Sequence, residues 1–151
     1  MKVSFADSAW NGEQIPDGQQ CSKFWGQGAT PSLRVENIPA GANAIIVEFN
    51  DRDYSPLSDD GGHGKIGFWV SEGSGRALLP SVPGETDPLP TGSFVEETNR
   101  ATGDYATPGY LPPCSGGRDH AYFAEVKAVR KVKGAGKPKV LATVKIELGS
   151  Y

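Results

Sequence analysis

Glycine and proline break this chain so often that long helices have no room in it. There are 20 glycines and 12 prolines among 151 residues, and inside a helix a glycine costs about 1 kcal/mol and a proline about 3 kcal/mol. The apolar residues are nevertheless grouped into short runs, which argues against a disordered chain. Short strands joined by turns and irregular loops satisfy both facts, so an all-β fold is expected. A chain of this length is expected to form one domain over residues 1–151, long enough to bury a core.

Six runs carry strand character: "KVSF" (2–5), "SLRVE" (32–36), "AIIVEF" (44–49), "KIGFWV" (65–70), "HAYFAEVKAV" (120–129) and "KVLATVKIEL" (139–148). The last two are joined by the turn "KGAGKP". In 44–49, Ile45, Val47 and Phe49 share one face at period two. A straight continuation puts Asp51 and Asp53 on that face. A carboxylate cannot sit deep in apolar packing without a partner, so this pattern marks a place where the core opens into a cavity. The stretch "AEVKAVRKV" (124–132) also fits a helix, with valines at every third position. Alternation and β-branching favour the strand, which sets His120 and Tyr122 on one face. Residues 71–119 contain seven prolines and read as mostly loop, wrapping one edge of the fold and forming part of a pocket wall. So long a connection is characteristic of a functional surface.

Several function classes drop out. A formal net charge of −3 supplies no general basic field for nucleic acid. No run approaches the roughly 20 apolar residues of a membrane span. The N-terminal stretch turns polar by Ala6-Asp7-Ser8 and lacks the apolar core of a secretory signal. A cytoplasmic location is therefore expected, with Cys21 and Cys114 as reduced, partly buried thiols; a disulfide is the alternative if the compartment is oxidising. "GAGKPK" (134–139) lacks the spacing of a phosphate loop, and there is no nucleophile elbow or zinc motif. The basic residues Lys127, Arg130, Lys131, Lys133, Lys137 and Lys139 are expected on a solvated face, with docking of an acidic protein partner as the lesser reading.

What remains is "DRD" (51–53), His63 in a glycine-rich loop, "YLPPC" (110–114) and "HAY" (120–122). In this order they resemble the phosphatidylethanolamine-binding protein family, in its bacterial and archaeal branch of Raf-kinase-inhibitor-like proteins. The likeness begins at "CSKFWGQGATPSLRVENIPAGANAIIVEFNDRDYSP" and resumes at "GYLPPCSGGRDHAYFAEVKAV". Arg52 stands where the family has a proline, Thr30-Pro31 replaces Ser-Pro, and Gly64 follows His63 in place of an aromatic residue. The resemblance implies a Greek-key sandwich, a large antiparallel sheet packed on a smaller one with few short helices.

It also implies a small pocket for phosphate- or carboxylate-type anions or phospholipid headgroups, with Asp51, Asp53, His63, His120 and Tyr122 as ligand-binding residues and Pro112 and Pro113 shaping the mouth. Imidazole N–H groups, a phenol and the backbone N–H groups of Gly116 and Gly117 can donate to anionic oxygens. An Asp beside such a pocket fixes a histidine tautomer or favours its charged form. The function expected is a non-enzymatic binding module without cofactor, regulating phosphorylated partners as the family name suggests. The alternative is a metal-dependent enzyme in which two histidines and a carboxylate hold iron.

Overall fold

The computed structural model describes residues 1–151. Its strands are β1 (Lys2–Phe5), β2 (Leu33–Glu36), β3 (Ala44–Asp51), β4 (Lys65–Trp69), β5 (Arg76–Leu79), β6 (Ser93–Glu97), β7 (Ala121–Arg130) and β8 (Lys139–Ser150). Helix is confined to three single 3₁₀ turns, Ser22–Phe24, Ser55–Leu57 and Gly103–Tyr105. Two antiparallel sheets result, one ordered β1-β2-β5 and the other β6-β4-β3-β7-β8. No helix is long and apolar enough to cross a membrane.

All six expected strands form. Residues 71–119 are less irregular than their prolines suggest, because β5 and β6 arise within them as edge strands. β5 pairs with β2 from Leu33↔Leu79 to Glu36↔Arg76. In β6, Phe94 lies opposite Gly67, whose missing side chain makes room for the ring: a Cβ there would sit 2.1 Å from it. Strands of four and five residues carry too little intrinsic preference to stand out, and a neighbour's free edge creates them. The helical reading of 124–132 gives way to β7, held by β3 on one side and by β8 on the other.

The two sheets face each other across a cluster of 19 buried residues, including Leu33, Val35 and Leu79 from the small sheet and Ile45, Val47, Ile66 and Val126 from the large one. Each such side chain contributes about 1.5–3 kcal/mol by leaving water. β3 is buried along its whole length. Its outer face carries Glu48, closed off by Lys127 at 3.0 Å and Lys65 at 3.8 Å. Lys65 also meets Asp60 at 2.8 Å and Glu97 at 3.2 Å. Two of the six basic residues thus depart from the simple solvated face. Lys127 pairs with Glu48 and Lys131 with Glu96, while Arg130, paired with the exposed Glu72, and Lys133, Lys137 and Lys139 are exposed.

Candidate functional site

On the inner face of β3 the alternation Ile45, Val47, Phe49 ends on Asp51, which is only 3% exposed. Its carboxylate is not left bare. Oδ1 accepts the N–H of Asp53 at 2.9 Å, and Oδ2 accepts Nδ1–H of His120 at 2.7 Å. A carboxylate can only accept, so this contact fixes the His120 proton on Nδ1. The backbone of His120 is pinned in turn by Tyr151, N–H to carbonyl in both directions, at 2.9 and 3.0 Å.

His63 arrives from the adjacent loop. Asn50 accepts the N–H groups of Gly61 and Gly62 at 2.9 and 3.2 Å, shaping the turn that delivers it. Gly62 is required by proximity, since a Cβ would lie 2.3 Å from the Leu57 backbone, and Gly64 adopts φ +111°. Between them His63 continues the β3 ladder, its N–H donating to Phe49. Its carbonyl accepts the Leu111 N–H at 2.8 Å, and its Nδ1 donates to the Leu111 carbonyl at 2.8 Å. The ring stands edge-on to Tyr122, centroids 5.5 Å apart. Burial lowers the His63 pKa below its ordinary 6.5, although the Leu111 hydrogen bond and the nearby Asp51 charge act the other way. Nε2 makes no hydrogen bond within the protein and is the ring's one remaining polar atom. Burial also raises the Tyr122 pKa, helped by Asp51, so this residue stays a phenol; its oxygen accepts the Cys114 N–H at 3.2 Å.

Asp51, His63, His120 and Tyr122 together line one cavity of ≈ 330 Å³, within the range of small-ligand sites. Asp53 and Pro112 do not line it. The strand ends at Asp51 and the chain turns, so Asp53 is exposed and its carboxylate accepts the Ala121 N–H at 2.7 Å. Pro112 is buried behind the wall, where its ring crowds the Cα positions of Gly28 and Gly84. The cavity also draws on residues that sequence reasoning missed: Tyr54, Arg100, Tyr105, Ser115 and Arg118. They lie on irregular loops, or in the case of Tyr105 on a single 3₁₀ turn, without periodicity, and no local pattern announces them.

The two loop cations differ in availability. Arg100 is spent on the protein, donating to the carbonyls of Pro56, Asp59 and Asp60. Arg118 is exposed and its guanidinium has no partner, its backbone N–H alone being engaged, with Ser115. Cys21 and Cys114 correct the expectation of free thiols. They form a disulfide with Cα atoms 5.3 Å apart across 93 residues of sequence. Cys21 N–H also donates to the Pro113 carbonyl at 2.9 Å, so backbone pairing holds the two segments side by side and brings the sulfurs together.

No group of three His, Cys, Asp or Glu side chains is placed to hold a metal ion. The only carboxylate at the cavity is turned onto an imidazole rather than converging with it on a common point.

A family profile described as "PBP: Phosphatidylethanolamine-binding protein" matches residues 6–148. Among solved structures, the Escherichia coli protein YbcL, described as a new member of the mammalian PEBP family, superposes with a TM-score of 0.61 at 21% identity, covering 99% of this chain and 96% of that one. A putative phosphatidylethanolamine-binding protein homolog, CT736 of Chlamydia trachomatis, gives a TM-score of 0.55 at 17% identity, covering 99% and 95%. A comparison with curated proteins returns no match.

Proposed function

The chain belongs to the phosphatidylethanolamine-binding protein family, and from that premise we propose that it is a non-enzymatic receptor for a small phosphate- or carboxylate-type anion. The carrying observation is the uncommitted guanidinium of Arg118 at a cavity whose two imidazoles are held in place at Nδ1, one by Asp51 and one by Leu111. Anchored rings need no reordering when a ligand enters, which lowers the cost of binding. The Ser115 hydroxyl at the cavity is committed to the protein, its Oγ donating to the Tyr151 carbonyl and accepting the Arg118 N–H. A phospholipid headgroup and a phosphorylated side chain of a regulated protein are two sources of such an anion.

We read the chain as one domain, since a single apolar cluster draws on both sheets. The disulfide supports an oxidising compartment rather than the cytoplasm. The test is calorimetric titration with inorganic phosphate on the wild type and on His120→Ala. Saturable binding at millimolar phosphate or below, weakened at least tenfold in the variant, supports the receptor. Absence of binding to the wild type, or equal affinity in both proteins, overturns it.

A further inference from the structure

The hydrogen-bonding polarity of the pocket narrows the ligand further, an inference that rests on the anion-receptor reading. A carbonyl only accepts, so the 2.8 Å contact between His63 Nδ1 and the Leu111 oxygen requires the proton on Nδ1. Nε2 of neutral His63 is then a lone pair. An anion without hydrogen would meet that lone pair with another, leaving two buried acceptors facing each other, which is unfavourable. Protonating Nε2 would relieve this, but His63 is 3% exposed and burial opposes its charged form. Arg118 is the cavity's uncommitted permanent cation.

We propose that the pocket selects phosphorus oxyanions that still carry a P–OH, this proton being donated to His63 Nε2 and the charged oxygens facing Arg118. The ligand class is hydrogen phosphate and singly ionised phosphate monoesters, in preference to the phosphodiester of an intact lipid headgroup and to simple carboxylates. The titratable and charged groups around His63 are Asp51 on β3, His120 and Tyr122 at β7, and Tyr54, Arg100, Tyr105 and Arg118 on the loops. A diester ligand, which does not titrate in this range, isolates any pH dependence that comes from the protein itself.

Three probes separate the possibilities, measured by calorimetry from pH 5.5 to 8. Inorganic phosphate keeps a P–OH throughout, monomethyl phosphate loses it through an ionisation near 6, and dimethyl phosphate never has one. At pH 8 inorganic phosphate is expected to bind at least tenfold more tightly than either ester. Lowering the pH to 5.5 is expected to raise monomethyl phosphate affinity roughly 75-fold relative to dimethyl phosphate, following the ester's protonation. His63→Asn, whose shorter amide can retain the Leu111 bond while taking the acceptor away from the Nε2 position, should bring the inorganic-to-dimethyl ratio towards one. Arg118→Gln should weaken all three ligands by a similar factor and flatten their salt dependence. Equal affinities for inorganic and dimethyl phosphate at every pH overturn the selection while leaving the receptor standing. No binding of any probe overturns both.

Discussion

Glu48 and Asp51 lie three residues apart on β3, point to opposite faces of the large sheet, and are both buried. Glu48 is met by Lys127 and Lys65, and Lys65 is met again by Asp60 and Glu97. Every strong charge in that cluster has a partner. Asp51 is met by one backbone N–H and one imidazole, and that imidazole, like its neighbour His63, has its second nitrogen left over. A buried charge that is fully paired inside the protein holds structure in place, whereas a buried polar group with capacity to spare beside a cavity is equipped to meet something else. The distinction lies in the unspent hydrogen-bonding capacity and not in the residue types.

The largest expected effect falls on the wall of the ligand side. The Cys21–Cys114 link closes 93 residues of sequence, and on the loop-entropy account its loss costs about 4.6 kcal/mol. Urea unfolding with and without reductant, and of the Cys21→Ser/Cys114→Ser double variant, should show a drop of that order, together with weaker phosphate binding because Cys114 lines the cavity. On the opposite face, Glu48→Ala leaves Lys127 with only the more distant Glu125, at 3.8 Å, and weakens the hold on Lys65. Removing one member of a buried ionic cluster costs about 3 kcal/mol, and phosphate affinity should be unchanged. Loss of phosphate binding in Glu48→Ala would erase the contrast between the faces.

The two clusters should also weaken at opposite ends of the pH scale. His63 has a folded pKa below 6.5, so in acid the unfolded chain gains a proton that the folded chain resists. Its contribution is complete above pH 6.5 and is lost below, at up to about 1.4 kcal/mol per pH unit. Lys65 behaves the other way. Burial alone would lower its pKa, but hydrogen bonds to Asp60 and Glu97 and the charge of Glu48 raise it above 10.5. Its contribution is therefore intact below pH 10.5 and lost as pH climbs through the folded value. Urea midpoints measured against pH should lose the acid limb in His63→Asn and the alkaline limb in Lys65→Met. The smallest effect concerns Tyr110, whose buried hydroxyl has no partner beneath the cavity. Tyr110→Phe should raise stability by about 1 kcal/mol, seen as a higher urea midpoint, with binding untouched.

Much of this was legible in the sequence wherever periodicity carried it. Period two along Ile45, Val47 and Phe49 placed Asp51 at the inner edge of the core, and the same period set His120 beside Tyr122. The continuation to Asp53 failed because a strand's period holds only while the strand lasts, and β3 ends one residue past Asn50. The contribution of Asn50, holding the Gly61–Gly62 turn that positions His63, had no sequence signal beyond its place before "DRD". Arg118 and the disulfide were hidden for another reason. Both depend on how irregular segments far apart in the chain come together, and pairing over 93 residues leaves no local trace.

The most direct test is long-range ¹H–¹⁵N NMR of the two imidazoles, recorded at neutral pH before and after adding inorganic phosphate. The account predicts that both rings carry their proton on Nδ1 in the free protein. Phosphate should then shift the Nε2 signals of His63 and His120 while leaving the Lys65 and Lys127 ammonium signals in place. A proton found on Nε2 of His63 in the free protein, or imidazole spectra unmoved by millimolar phosphate, would contradict it.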